Sequence, residues 1–319
     1  MQRLICSLLL ILAPLVTMAR TEYPIHDDFR EACRITAPLG RGVLGIGNAF
    51  LSVMPKGMHS DNELTIDKIK ITATSDGKEF GAWVITPKEG DKTPRPAILF
   101  LHGGGFVFKG APYHYDLAKE YALRTNSVVV MVDYRTAHNN PYGTTLQDCA
   151  DTWQWMLYNA QRLGIDTTRT AIVGDSAGGF LAVKTVLCSH LCPTKLMLIY
   201  PVIDCTMRTK SMAEFSDTPV WNSKLNKKMW EYYLQGETEK SLLDLTENEL
   251  QTLPATYVET AEFDCLRDEG NEFARLLQCA GVATTHTQIQ DTMHGFDMAQ
   301  RSAITQQQIV ERCKWLGEW

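Results

Sequence analysis

Residues 171–181 read AIVGDSAGGFL, an apolar run that breaks at Gly174, turns, and resumes with the composition of a helix. Ser176 stands at the apex, with Gly174, Gly178 and Gly179 around it. The plain reading is a tight strand-to-helix connection, for which glycine-rich turns are common. The sharper reading is a G-x-S-x-G elbow, in which a strained turn exposes the serine hydroxyl and glycines let backbones approach closely. A motif this short has many false positives, so its setting must decide.

The setting is an alternation of strands and helices. ELTIDKIKITAT and EFGAWVITP flank Ser75-Asp76-Gly77 and predict a hairpin. PAILFL, SVVVMVDY, TAIVGD, KLMLIYPV and ATYVETAEFD read as buried strands, and ATTHTQIQ as a further strand. Between and after them YDLAKEYALRT, TLQDCADTWQWMLYNAQRL, SAGGFLAVKTVLCSH, DEGNEFARLLQCAG and residues 302–317 read as helices. Such alternation predicts an α/β fold, a mostly parallel central sheet flanked by helices. Two stretches stand outside it, about 25–60 and about 205–250, the latter with the aromatic helix LNKKMWEYYL. Both are candidates for a helical cap over the sheet's C-terminal edge, where open α/β sheets bind ligands.

The chain has 319 residues, 45% hydrophobic and 21% charged, with a net charge of −6. That describes an ordinary globular protein of one large domain, over 20–319, and argues against nucleic acid, which would call for a basic face. The N-terminus is different: Arg3, an apolar stretch Leu4 to Leu12, then Thr17 and Ala19 before Arg20. Residues 1–19 have the layout of a secretory signal peptide, too short and Pro14-broken for a stable membrane span. Export is therefore expected; the alternatives are a helix packed on the body, or a cytoplasmic protein beginning at Met18. Nine cysteines show no metal-binding spacing. Cys149, Cys279 and Cys313 fall in apolar periodic segments, so the cysteines are expected to be mostly reduced core residues.

If Ser176 is a nucleophile it needs oxyanion donors, a base and an orienting acid. The start of the following helix offers free N–H groups, that of Ala177 first. LHGGGF (101–106) follows an earlier buried strand and would present further backbone amides, with no side chain to obstruct them. In this arrangement the acid and then the histidine follow the serine in the chain. Downstream lie His190, His286 and His294. His190 ends the elbow helix and His286 lies mid-strand, whereas His294, in DTMHGF, follows a strand in a loop. Asp264 comes directly after ATYVETAEF; its rival Asp268 has the composition of an N-cap for the next helix.

HGGGF, GDSAGG, D-x-L-R-D-E-G and HGF, in that order, closely resemble the hormone-sensitive-lipase-like family of α/β-hydrolases, especially its bacterial carboxylesterases. The resemblance covers roughly residues 60–319. It implies an α/β-hydrolase fold with Ser176 as nucleophile, His294 and Asp264 as its partners, and Gly104, Gly105 and Ala177 as oxyanion donors. DYRTAHNN (133–140) departs from the family's D-Y-R-L-A-P-E, with His138 and Asn139 in place of Pro and Glu, and Cys265 replaces the usual proline beside the acid. The expected activity is hydrolysis of short-chain carboxylic esters through an acyl-enzyme, with no metal or organic cofactor. An amidase or peptidase on the same triad, or a non-catalytic receptor of the same fold, are the alternatives. Phe106, Trp221 and Trp230 are candidates for an apolar pocket, alongside Phe215, Tyr232 and Tyr233, although aromatic residues of a cap helix also serve as plain cap core. The expected partner is a small-molecule ester, with a homodimer as an open alternative to a monomer.

Overall fold

The computed structural model describes residues 23–35, 39–54, 57–89, 94–189 and 191–319. The hairpin forms as expected: β1 (Leu64–Thr72) pairs antiparallel with β2 (Glu79–Pro87) around a turn in which Gly77 has φ +70°. The remaining strands are β3 (Arg95–Leu101), β4 (Val128–Asp133), β5 (Ile165–Asp175), β6 (Lys195–Ile199), β7 (Ala255–Phe263) and β8 (Thr284–Met293). All eight lie in one sheet, ordered β1-β2-β4-β3-β5-β6-β7-β8, and every pairing from β4 through β8 is parallel. After α1 (Arg41–Val53), which precedes the sheet, helices supply the crossovers that parallel strands need: α2 (Pro112–Thr125), α3 (Thr144–Tyr158), α4 (Ala160–Leu163), α5 (Ala177–Cys188), α6 (Lys210–Glu214), α7 (Ser223–Leu234), α8 (Glu247–Leu250) and α9 (Arg267–Cys279), and α10 (Ala303–Gly317) follows the last strand.

The central strands are apolar on both faces because both faces are covered. In β3, Leu99 and Leu101 join the core beneath α3, α5 and α9, while Ile98 and Phe100 join the core beneath α2 and α10. The helix expected over TLQDCADTWQWMLYNAQRL is broken in two at Asn159. Its backbone N–H and its side-chain amide both donate to Trp155 O, at 3.0 and 2.8 Å, so the side chain competes with helix continuation. The expectation that most cysteines lie in the core is corrected: three of the eight described are buried. The described cysteines are all free, and Cys149, Cys265 and Cys313 are buried, but Cys279 faces solvent with Cys188 and Cys192.

The two irregular stretches meet each other. Tyr23 packs edge-on against Phe215 at 5.7 Å and its hydroxyl donates to Asp217 at 2.6 Å. Tyr232 OH donates to Leu39 O at 3.1 Å, and Val220 N–H to Ile35 O at 3.1 Å. From α1, the Asn48 amide donates to Val107 O and accepts from Lys109 N–H, gripping the loop that follows β3. Among the described residues no helix is long and apolar enough to cross a membrane. The predicted signal peptide, residues 1–19, and the alternative start at Met18 lie outside the described residues.

The C-terminal helix is bound through a buried ionic cluster. Arg312, with no exposed surface, donates to Glu259 on β7 and, at 2.9 Å, to Asp297 in the loop after β8. Tyr257 OH donates to Glu259 at 3.1 Å and Tyr200 OH to Asp297 at 2.8 Å. Burial pushes the Asp297 carboxyl above its ordinary range even with Arg312 beside it. Removing one partner from such a buried set leaves the others uncompensated. Arg312→Met is accordingly expected to cost about 3–5 kcal/mol of stability, read as a lower urea midpoint at unchanged slope. A loss under about 1 kcal/mol, the worth of an exposed pair, would contradict the assigned role.

Candidate active site

β5 ends at Asp175 and α5 begins at Ala177, so Ser176 alone makes the turn between them. Its φ of +54° with ψ of −122° is sparsely populated by residues with a Cβ. Three hydrogen bonds hold it there: Ser176 N–H to Ile199 O, and its carbonyl accepting from the amides of Gly179 and Val202, all at 2.9 Å. The glycines are sterically required. A Cβ on Gly178 would lie 1.9 Å from Leu101 O, and one on Gly174 would lie 2.1 Å from Gly178 O. The elbow can form only because α5 presses directly on the end of β3.

The hydroxyl so presented reaches a histidine. Ser176 Oγ lies 2.9 Å from His294 Nε2, and His294 Nδ1 lies 2.7 Å from Asp264 Oδ2. Ionised Asp264 can only accept, which assigns the proton to Nδ1 and leaves the Nε2 lone pair facing the serine. The second carboxylate oxygen accepts from Leu266 N–H at 2.9 Å, so both oxygens are committed and the orientation is fixed. Asp264 is completely buried, and Ser176 and His294 are nearly so. His294 directly follows β8 and its ring is held edge-on by Tyr200 at 5.0 Å.

Beside the serine runs the loop after β3. Gly104 has φ +115° and Gly105 φ +58°, and the Gly104 carbonyl accepts from the amides of Val107 and Phe108. Among the described residues the N–H groups of Gly104 and Gly105 donate to no protein acceptor. With the first amide of α5, that of Ala177, which has no intrahelical acceptor, they are free donors beside the serine. A serine hydroxyl, a base with its lone pair aimed at it, an acid fixing that base and free amides nearby are the parts that acyl transfer needs.

Residues 98–298, which hold all three of these side chains, match a family model described as alpha/beta hydrolase fold. The chain belongs to this family. It is similar to carboxylesterase NlhH of Mycobacterium tuberculosis, 32% identical over 63% of this chain and 66% of the relative. The chain thus spans just under two thirds of that relative's length. Ethyl acetate hydrolase of Pseudomonas putida is 31% identical over 74% of this chain and 77% of its own. A solved structure titled Bacterial Heroin Esterase superposes with a TM-score of 0.82 at 27% identity, covering 92% of this chain and 97% of that one.

For an α/β-hydrolase the candidate residues are thus placed together, with two amendments. Asp268 is not an N-cap: α9 begins at Arg267, two residues earlier than that role requires, and its N-cap is Leu266. Its carboxylate instead accepts from Ser211 N–H at 2.8 Å and pairs with Arg267, tying α6 to α9. Among the aromatic candidates only Trp221 reaches the site, its ring 6.0 Å from His294. Phe106 and Trp230 pack with Phe180 and Tyr233 in a buried cluster between α5 and α7. His286 faces solvent on β8 with Nε2 2.9 Å from Asn271 Oδ1, and His190 lies outside the described residues. The sequence reading gives Tyr200 no role beyond ending a strand. Its φ of +34° and its contact with His294 arise from three-dimensional neighbours that no local pattern announces.

The two aspartates separate in an experiment. Asp264→Asn is expected to remain folded and lose about four orders of magnitude in turnover, because the imidazole then favours the wrong tautomer. Asp268→Asn is expected to lower the melting temperature while keeping most activity. Loss of activity in Asp268→Asn alone, at unchanged stability, would reverse the assignment.

Proposed function

We propose that the protein is a serine carboxylesterase that hydrolyses short-chain acyl esters. The observation that carries this is the continuous hydrogen-bonded chain Ser176–His294–Asp264 beside the free amides of Gly104, Gly105 and Ala177. As Ser176 Oγ attacks the acyl carbon, its proton passes to His294 Nε2, and Asp264 stabilises the imidazolium. The carbonyl oxygen gains the electron pair and takes hydrogen bonds from the amides; losing one such donor typically costs about 3–4 kcal/mol of barrier. The C–O bond to the alcohol then breaks, and His294 returns the proton to the leaving oxygen. Water repeats the sequence on the acyl-enzyme and regenerates the serine. The names of the mycobacterial and pseudomonad relatives support this reaction class.

The preference for short chains rests on Trp221. The indole is 5% exposed, and its Cη2 lies only 2.8 Å from where a Cβ on Gly105 would stand. The indole therefore walls the space above the oxyanion loop and leaves room for a small group. The residue before it, Val220, has φ +65°, rare for a β-branched side chain, so the wall is held by strained backbone.

A panel of p-nitrophenyl esters tests the proposal. Catalytic efficiency is expected to peak between acetyl and hexanoyl and to be weak beyond decanoyl, and Trp221→Ala should move the peak to longer chains. Ser176→Ala should remain folded, lose turnover about a million-fold and resist labelling by a serine-reactive phosphonate. Wild-type turnover in a folded Ser176→Ala protein, or preference for long-chain triglyceride emulsions, would overturn it.

A further inference from the structure

A second histidine–aspartate pair lies behind the nucleophile. Asp175, completely buried, immediately precedes Ser176, and its Oδ2 lies 3.1 Å from Nε2 of His114 on α2, itself nearly buried. Its other oxygen, Oδ1, accepts from the Gly103 amide at 3.0 Å. The His114 tautomer follows from its other nitrogen. Ala111 N–H donates to Nδ1 at 2.9 Å, so Nδ1 carries the lone pair and the proton sits on Nε2, pointing at Asp175. Burial alone would raise Asp175, but His114 and the Gly103 amide, both hydrogen-bonded to it, outweigh burial and hold the carboxyl below its ordinary range.

Two further contacts hold the start of the loop. Tyr134 OH donates to His102 O at 2.8 Å, and His102 Nδ1, the nitrogen able to donate, lies 2.7 Å from Gly103 O. His102 stacks on Tyr134 at 4.2 Å, and burial holds it down to about 3, so it is neutral. The loop is thus anchored at residues 102 and 103 and again at Phe106 and Val107, and the two amides between, those of Gly104 and Gly105, remain unengaged. The contact is too close for any larger residue: a Cβ on Gly103 would lie 2.4 Å from Asp175 Oδ2.

We propose that Asp175 and His114 are positioning residues for the oxyanion loop. The carboxylate links the residue before the nucleophile to the residue before the amide donors, and His114 fixes that carboxylate from α2. That side chain then fixes the near end of the donor loop against the nucleophile, while Asn48 and Ala137 hold its far end. This assignment rests on the esterase reading above for its catalytic consequence, but the tether itself does not.

The test uses His114→Phe, which keeps a ring of similar size and removes the donor, and His114→Gln, which restores an N–H. In His114→Phe, kcat on p-nitrophenyl butyrate is expected to fall about tenfold to a hundredfold, less than for loss of a whole donor, with KM nearly unchanged. Inhibition by a trifluoromethyl ketone, whose serine adduct carries the oxyanion, should weaken by the same factor. Hydrogen exchange in the peptide spanning 101–106 should accelerate, and His114→Gln should recover most of all three. A merely structural role would not couple kcat to the inhibitor constant. Unchanged exchange at 101–106 in folded His114→Phe, or a kcat loss with no change in ketone inhibition, overturns the proposal. Should wild-type protein fail to label with phosphonate, the esterase reading falls, and the exchange data still decide the tether. Asp175→Asn, which sets an amide N–H against the His114 donor or the Gly103 amide, must reproduce the faster exchange if His114→Phe does not fold.

Discussion

The parallel pairing of β3 with β5 is the constraint on which the site depends. Leu101 stands opposite Gly174, so both strands end at the same edge and their loops emerge side by side. One loop carries the free amides and the other the serine. The helix that follows β5 can enter only because Gly178 leaves room for the Leu101 carbonyl. Neither loop would be useful alone, since the hydroxyl and the amides must converge on one reacting carbon. The side chain of Asp175 completes the joint by taking the Gly103 amide at the point of contact.

Much of this was legible in the sequence because it is written in local patterns. Alternating strands and helices are periodic signals, and the elbow, the glycine loop and the histidine loop each follow a strand end. Placement just past a strand end then selected His294 from three histidines, and Asp264 from two aspartates. What was not legible depends on neighbours distant in sequence. Asp268 has the composition of an N-cap, yet it serves α6, 57 residues away, because the chain folds Ser211 against it. Cys279 falls in an apolar pattern but on the outer side of α9. Phe106 and Trp230 look like pocket residues, whereas the ring of Tyr233 draws them into a packed cluster.

The buried polar groups fall into two layers on either side of the reacting atoms. Behind the serine lie Asp175, His114 and His102. Behind the histidine lie Tyr200, Asp297, Arg312 and Glu259. Each layer joins elements remote from one another in the sequence, and nearly all of its members are excluded from water. Buried polar sets of this kind are costly unless paired, and each bond made inside them narrows the arrangements they permit. The strained backbone at Ser176 and Tyr200 is held between these layers.

The sequence separation of these parts also governs when the site comes into being. Ser176 and His294 are 118 residues apart, and the loop carrying His294 is anchored by Arg312, later still in the chain. During synthesis the elbow and the glycine loop emerge well before their histidine, and Arg312 follows later still. A chain released early therefore contains a serine without its base, or a base without its anchor. The serine, its histidine and the anchor of that histidine come together only after Arg312 has been made.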